Sequence, residues 1–240
     1  MHSELLAKHG LTHFITGSDY NFRYQTVGGN IKKELERALA HHHLSINQLY
    51  TGHQSHSANV RYVDGINGEP FVIGKAFQDT DGLMTDKKGV ALLVKFADCT
   101  PLLIFDPVKK VQTSVHSGWR GTVQQISLSA IQIMEDKFGC KREDLLIYVG
   151  PSIGQAHYQV GKEVYDAFES FPDRDSFFTE DGDKFRLSMT DANLSILKRA
   201  GIRDEQLDVC RESTFSSDHL HSARREGKGY QLNAMISVLN

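Results

Sequence analysis

The 240-residue chain carries 27 Lys and Arg against 30 Asp and Glu, a formal net charge of −3, without blocks of like charge. A nucleic-acid surface needs a basic patch, and a membrane span needs an apolar run of about 18 residues; the sequence has neither. Forty per cent hydrophobic and 24% charged residues suit an ordinary globular chain, and three widely spaced cysteines make no disulfide framework.

In chain order, MHSELLAKHGL lacks the apolar core of a signal peptide, so the expectation is a cytoplasmic chain with reduced thiols. Thr12–Thr16 and Tyr20–Tyr24 are short strand candidates about a Gly-Ser-Asp turn. Ile31–His42 carries Ile31, Leu35 and Leu39 at helical spacing. His41-His42-His43 reads as the solvated end of that helix, because consecutive helical positions point in different directions. Leu49–Thr51 and Asn59–Val63 flank a turn holding His53 and His56. Val90–Phe96, Pro101–Phe105 and Val111–Val115 read as strands buried on both faces, the first two rich in Val, Leu and Ile. Thr122–Phe138 predicts a helix stopped by Gly139. Leu145–Val149 predicts another buried strand, leading into the loop Gly150-Pro-Ser-Ile-Gly154. Beyond it follow a short helix, Gly161–Phe168, and a polar surface excursion, Ser170–Lys184. Ser188–Ala200 is a good helix and Tyr230–Val238 a closing strand. With no repeat or linker, residues 1–240 are expected to form a single domain of mixed α+β type, its central, largely buried sheets flanked by helices.

Chemistry concentrates at two strand junctions. Asp98-Cys99-Thr100-Pro101 precedes one strand, and His116-Ser117-Gly118-Trp119-Arg120-Gly121 follows another. Loops on a rigid scaffold are where reactive groups are usually placed. His56, Cys99 and His116 would supply two imidazoles and a thiolate, leaving one tetrahedral position open as in catalytic zinc sites. Spacing alone leaves a buried inert cysteine beside histidines equally open. Cys99 with His116 is also what nucleophilic catalysis asks for. Asp98 could orient a ligand imidazole, bind ribose hydroxyls or simply tie backbone at a strand end. Gly118 and Arg120 are candidate substrate contacts, Arg120 through the planar fork that matches an oxyanion. Arg23, Arg224 and Arg225 are further cationic candidates, and Ser152 lies in a loop able to cradle an anion. His219-Leu-His221 is weak evidence for copper, and Cys140 and Cys210 read as inert.

Taken in order, His53-Gln-Ser-His-Ser57, Ala97-Asp-Cys-Thr-Pro101, His116-Ser-Gly-Trp-Arg-Gly121 and Gly150-Pro-Ser-Ile-Gly154 resemble one family. It is called multicopper polyphenol oxidoreductase (laccase-like) or purine nucleoside phosphorylase. Asp81-Gly-Leu-Met-Thr85, Asp191-Ala-Asn193 and Ser222-Ala-Arg-Arg225 extend the resemblance over nearly the whole chain. It implies a β-rich centre flanked by helices and zinc held by His56, Cys99 and His116, with His56 selected over His53 by its place before Ser57. It further implies phosphorolysis of adenosine, inosine or guanosine to base and ribose-1-phosphate, and deamination of adenosine. A basic residue of the tail, Arg225, would lie near the substrate. Catalytic roles would fall to Cys99, His116, Asp98 and Arg120. The expected partners are a purine nucleoside and phosphate, with a monomer as the default.

The sequence departs from zinc deaminases in lacking His-x-Glu with Pro-Cys-x-x-Cys, so deamination would need another proton shuttle, Asp98 or Glu163. Copper oxidation of phenols is the runner-up, since two His and one Cys also suit copper. A multicopper oxidase requires further paired histidines, and only His219-Leu-His221 is offered. A metal-free Cys/His hydrolase is the third reading.

Overall fold

The computed structural model describes residues 1–240. Two six-stranded sheets are joined by a smaller, three-stranded one. The first sheet runs, in spatial order, Leu11–Ile15, Asn233–Leu239, Val90–Phe96, Gln48–Gly52, Gly74–Phe77 and Glu69–Phe71. The second runs Leu207–Val209, Leu146–Val149, Thr100–Asp106, Val111–Ser117, Gly82–Thr85 and Val60–Tyr62.

These sheets stack face to face, and the alternation along the central strands shows why Val90–Phe96 and Thr100–Asp106 are largely apolar. Val94 and Phe96 of the first sheet meet Leu103, Phe105 and Tyr148 of the second in one cluster. Ala91 and Leu93 point the other way, onto Ile31, Leu35 and Ala38 of the helix Ile31–His41. Leu102 and Ile104 likewise turn from the sheet interface toward Ile126, Ala130 and Met134 of the helix Ile126–Phe138. Side chains alternate across a strand, so a strand covered on both faces favours apolar residues on both. Fully burying one such Leu or Ile contributes roughly 1.5–3 kcal/mol.

Strands Gln48–Gly52, Gly74–Phe77 and Val90–Phe96 are mutually parallel neighbours. Their C-terminal ends therefore lie along one edge of the first sheet. Each continues into a strand of the second sheet, at Val60, Gly82 and Thr100 respectively. Three crossovers thus leave one edge together, carrying His56, Asp81 and Cys99. Gly52 permits this crowding: a Cβ there would meet the Thr80 carbonyl oxygen at 2.0 Å.

Several expectations are corrected. Of the three buried strands, Val90–Phe96 belongs to the first sheet while the next two pair in the second. Tyr20–Tyr24 is no strand: Phe22 is buried, and a short helix, Tyr24–Val27, follows. The helix expected over Thr122–Phe138 is two, Trp119–Val123 and Ile126–Phe138, divided where Gln125 takes φ 56°. Ser170–Lys184 is no surface excursion. Phe171, Phe177 and Phe178 are buried with Phe168 and Leu187, and Phe178–Asp181 is a strand of the third sheet.

Candidate metal centre and its cavity

Cys99 ends the crossover from Phe96 to Thr100. The tight turn places Asp98 at φ 86°, a left-handed conformation that Asp tolerates better than most residues. His116 lies on the neighbouring strand, whose register pairs Thr100 with Ser117 and Pro101 with His116. Thiol and imidazole are thus neighbours by strand pairing. His56 comes in from the Gly52–Val60 crossover, with φ 65°. The ligand atoms of His56, Cys99 and His116 all lie within 4.8 Å of one another.

Asp81 ties the group together. Its Oδ1 lies 2.8 Å from His116 Nδ1, fixing the ring so that Nε2 is left for the cluster. The same carboxylate accepts the backbone N–H groups of Ser55, His56 and Ser57 and the Ser57 hydroxyl. One buried anion therefore sets the tautomer of one imidazole and the loop that carries the other. Burial alone would raise the Asp81 pKa, but the His116 contact and the Ser57 hydrogen bonds hold it far below the usual carboxylate range.

Burial also disfavours the Cys99 thiolate, yet the neighbouring His116 and His56 bring its pKa down to about 6. Burial lowers His116, and the Cys99 sulfur and Asp81 more than reverse this, raising it to about 9. Both shifts favour a thiolate beside an imidazolium. Gly118 completes the cluster by its lack of a side chain. A Cβ there would lie 2.6 Å from His56 Cδ2 and 3.0 Å from Cys99 Sγ. Two nitrogens and one thiolate sulfur, an oriented imidazole and a space kept clear by glycine fit a tetrahedral metal with one free position.

The cluster lies in the wall of a cavity of about 760 Å³. Phe22, Tyr24, Phe71 and Tyr230 form an aromatic side, and Lys95, Tyr158 and Arg224 also line it. His53 stands in this wall, edge-on to Phe71 at 5.4 Å, and not in the cluster. Tyr158 is pushed up by burial and by the nearby Cys99, so it stays a neutral phenol.

Other sequence candidates fall differently. Asp98 lines the cavity but orients no imidazole: its carboxylate accepts the Thr214 hydroxyl at 2.6 Å and the Arg224 N–H at 2.7 Å. The imidazole-orienting carboxylate is Asp81. Arg23 reaches the wall, stacked on Tyr230 at 3.9 Å and donating to the Lys228 and Tyr230 carbonyls. Arg225 does not reach the cavity; it donates to the carbonyls of Thr214, Phe215, Ser217 and Leu220, and Arg224 faces the cavity instead. Arg120 is exposed, stacked on Trp119 at 4.3 Å, outside the wall. Ser152 is buried away from it, bonded to Thr190. Sequence reasoning gave no role to Asp81, Lys95 or Tyr158. The first had a signal, its place in a motif; the others are single residues without pattern.

A His-Cys-His cluster of metal-ligand type, at the mouths of sheet crossovers and open to a cavity, defines the class of site. The chain belongs to the multi-copper polyphenol oxidoreductase laccase family, whose family model matches residues 18–238. It is 35% identical over 168 residues to purine nucleoside phosphorylase YlmD of Bacillus subtilis (strain 168), covering 68% of this chain and 60% of that protein. It is 36% identical over 152 residues to a purine nucleoside phosphorylase of Bacteroides thetaiotaomicron, covering 61% and 56%. The matched stretch thus spans less than two thirds of either relative. The crystal structure of YlmD from Geobacillus stearothermophilus shares the fold, with a TM-score of 0.87 at 23% identity, over 96% of this chain and 93% of that one. No helix is long and apolar enough to cross a membrane.

Proposed function

We propose that residues 1–240 form one catalytic unit that phosphorolyses purine nucleosides, adenosine, inosine or guanosine, to the free base and ribose-1-phosphate, with zinc held by His56, Cys99 and His116. The observation that carries this reading is the convergence of those three side chains in the wall of an aromatic-sided cavity. The names of the two bacterial relatives support the substrate class.

The cavity's volume is in the range for small-molecule sites. Tyr24 and Phe71, whose rings stand 5.4 Å apart and tilted by 57°, offer aromatic surface against which a purine could pack. Asp81 holds the Nδ1 proton of His116 and so keeps its Nε2 available as a ligand. When bound, zinc supplies a Lewis acid with one open coordination position.

Phosphorolysis is better supported than deamination of adenosine. Asp98 is committed to Thr214 and Arg224, and Glu163 stands outside the cavity wall, so neither carboxylate is placed as the proton shuttle. A multicopper oxidase needs further histidine groups, and His56, Cys99 and His116 are the single three-residue cluster present. Product analysis on inosine with and without phosphate tests the reading. Base and ribose-1-phosphate, formed only with phosphate, are expected. Free ribose formed without phosphate would replace it with a hydrolase.

A further inference from the structure

Lys95 brings a charge into the cavity from a strand otherwise built of core residues. Its neighbours Val94 and Phe96 are 1% exposed and packed between the sheets. The Lys95 ammonium donates to Thr51 Oγ1 and to the Gly52 carbonyl oxygen, each at 2.8 Å, and makes no ion pair. An ammonium has three N–H donors, so one is left for the cavity that Lys95 lines.

The strand is held firmly at this point. The Gln54 side-chain amide grips the Lys95 backbone from both sides, accepting its N–H at 2.9 Å and donating to its carbonyl at 2.7 Å. Gln54 lies two residues before His56, so the same crossover positions a metal-ligand candidate and this lysine. Burial lowers the Lys95 pKa to about 8, opposed by the charge of Asp81, and the group is still mainly cationic at neutral pH. An enclosed charge without a counter-ion is costly, and the structure nonetheless rigidly presents one.

Of the other Lys and Arg residues, only Arg23 and Arg224 line the cavity, and each is partly occupied by protein carbonyls. Arg225 binds carbonyls outside it, Arg23 lies on Tyr230 and Arg224 donates to the Gln159 carbonyl. We propose that Lys95 is the anchor for a phosphate oxyanion in this cavity, binding the inorganic phosphate co-substrate. Thr51 and Gly52 aim the ammonium, and Gln54 fixes the backbone from which it extends. This inference rests on the phosphorolytic reading for the source of the anion.

Two measurements test it. In wild-type protein, modification of Lys95 by an amine-acylating reagent, read by peptide mass spectrometry, should be suppressed by inorganic phosphate and not by equal chloride. If instead a nucleoside 5′-monophosphate protects and inorganic phosphate does not, the co-substrate assignment is overturned. In steady-state phosphorolysis, Lys95→Met should raise the KM for phosphate by about tenfold or more, as expected for losing a charged hydrogen bond, with the nucleoside KM nearly unchanged. Lys95→Arg should recover part of that loss. An unchanged phosphate KM in folded Lys95→Met overturns the proposal, and so does equal acylation with and without phosphate. If Lys95→Met does not fold, the protection experiment decides. If the wild type performs no phosphorolysis but phosphate still protects Lys95, the functional reading falls and the anion site stands.

Discussion

His116 Nδ1 and Asp81 Oδ1 lie 2.8 Å apart with both side chains enclosed, so one proton shared between them fixes which imidazole nitrogen faces Cys99. Carboxylates in this position typically contribute tenfold to a hundredfold to metal affinity. Asp81→Ala should therefore weaken metal binding by about 10–100-fold in competition with a chelator. The Ser55, His56 and Ser57 N–H groups would also lose their acceptor, so the thermal midpoint should fall. Unchanged metal affinity would show that Asp81 only holds the loop.

Gly118→Ala probes the cluster from its empty side. The added methyl would sit 2.6 Å from His56 Cδ2 and 3.0 Å from Cys99 Sγ, within the space of the ligands. The residue's φ is −77°, an ordinary value for alanine, so the backbone is not strained. The variant should stay folded by circular dichroism and lose metal and activity together. Normal metal content in this variant would mean that the ligand group closes differently on binding.

The thiolate–imidazolium pair gives a pH signature in metal-free protein. Cys99, lowered to about 6, should be alkylated with a rate that rises through that pH, well below the range of an ordinary thiol. His116, raised to about 9, is protonated at pH 7. Metal requires it neutral, whereas the thiol is already ionised there. Zinc binding at pH 7 should then release about one proton, measured by calorimetry in buffers of different ionisation enthalpy. Release of two protons, with an alkylation midpoint near 9, would show an ordinary thiol.

Arg224 and Arg225 are adjacent and should behave oppositely. Arg225 donates to four backbone carbonyls, so Arg225→Ala should lower stability by about 2 kcal/mol or more, with little effect on KM. Arg224 faces the cavity, so Arg224→Ala should raise KM with a small change in thermal midpoint. Denaturant unfolding and steady-state kinetics on both variants separate the roles.

The buried strands are legible because each is covered on both faces, which leaves apolar runs from Val90 to Val94 and from Pro101 to Phe105. The sequence does not say which sheet each run joins. That depends on the direction the chain takes at Asp98, a left-handed residue of a type that gives no glycine signal. Ser170–Lys184 reads as polar surface because its Phe residues stand among charged neighbours without regular spacing, although three are buried. The ligands Cys99 and His116 were visible as strand-end residues, while His56 needed the ordered motifs. Asp81 and Lys95 act through tertiary neighbours 24 to 44 positions away, at His56, Ser57, His116 and Thr51; Asp81 is marked only by its place in Asp81-Gly-Leu-Met-Thr85, and Lys95 by no local pattern. Residue type alone cannot tell which of the adjacent guanidiniums, Arg224 or Arg225, turns inward.

The most direct test is zinc content per chain of protein purified without added metal, in the wild type and in His56→Ala, Cys99→Ala and His116→Ala, with phosphorolysis of inosine followed on the same samples. One equivalent in the wild type, strongly reduced in every variant together with turnover, is the predicted result. Full zinc and full turnover in Cys99→Ala would contradict it.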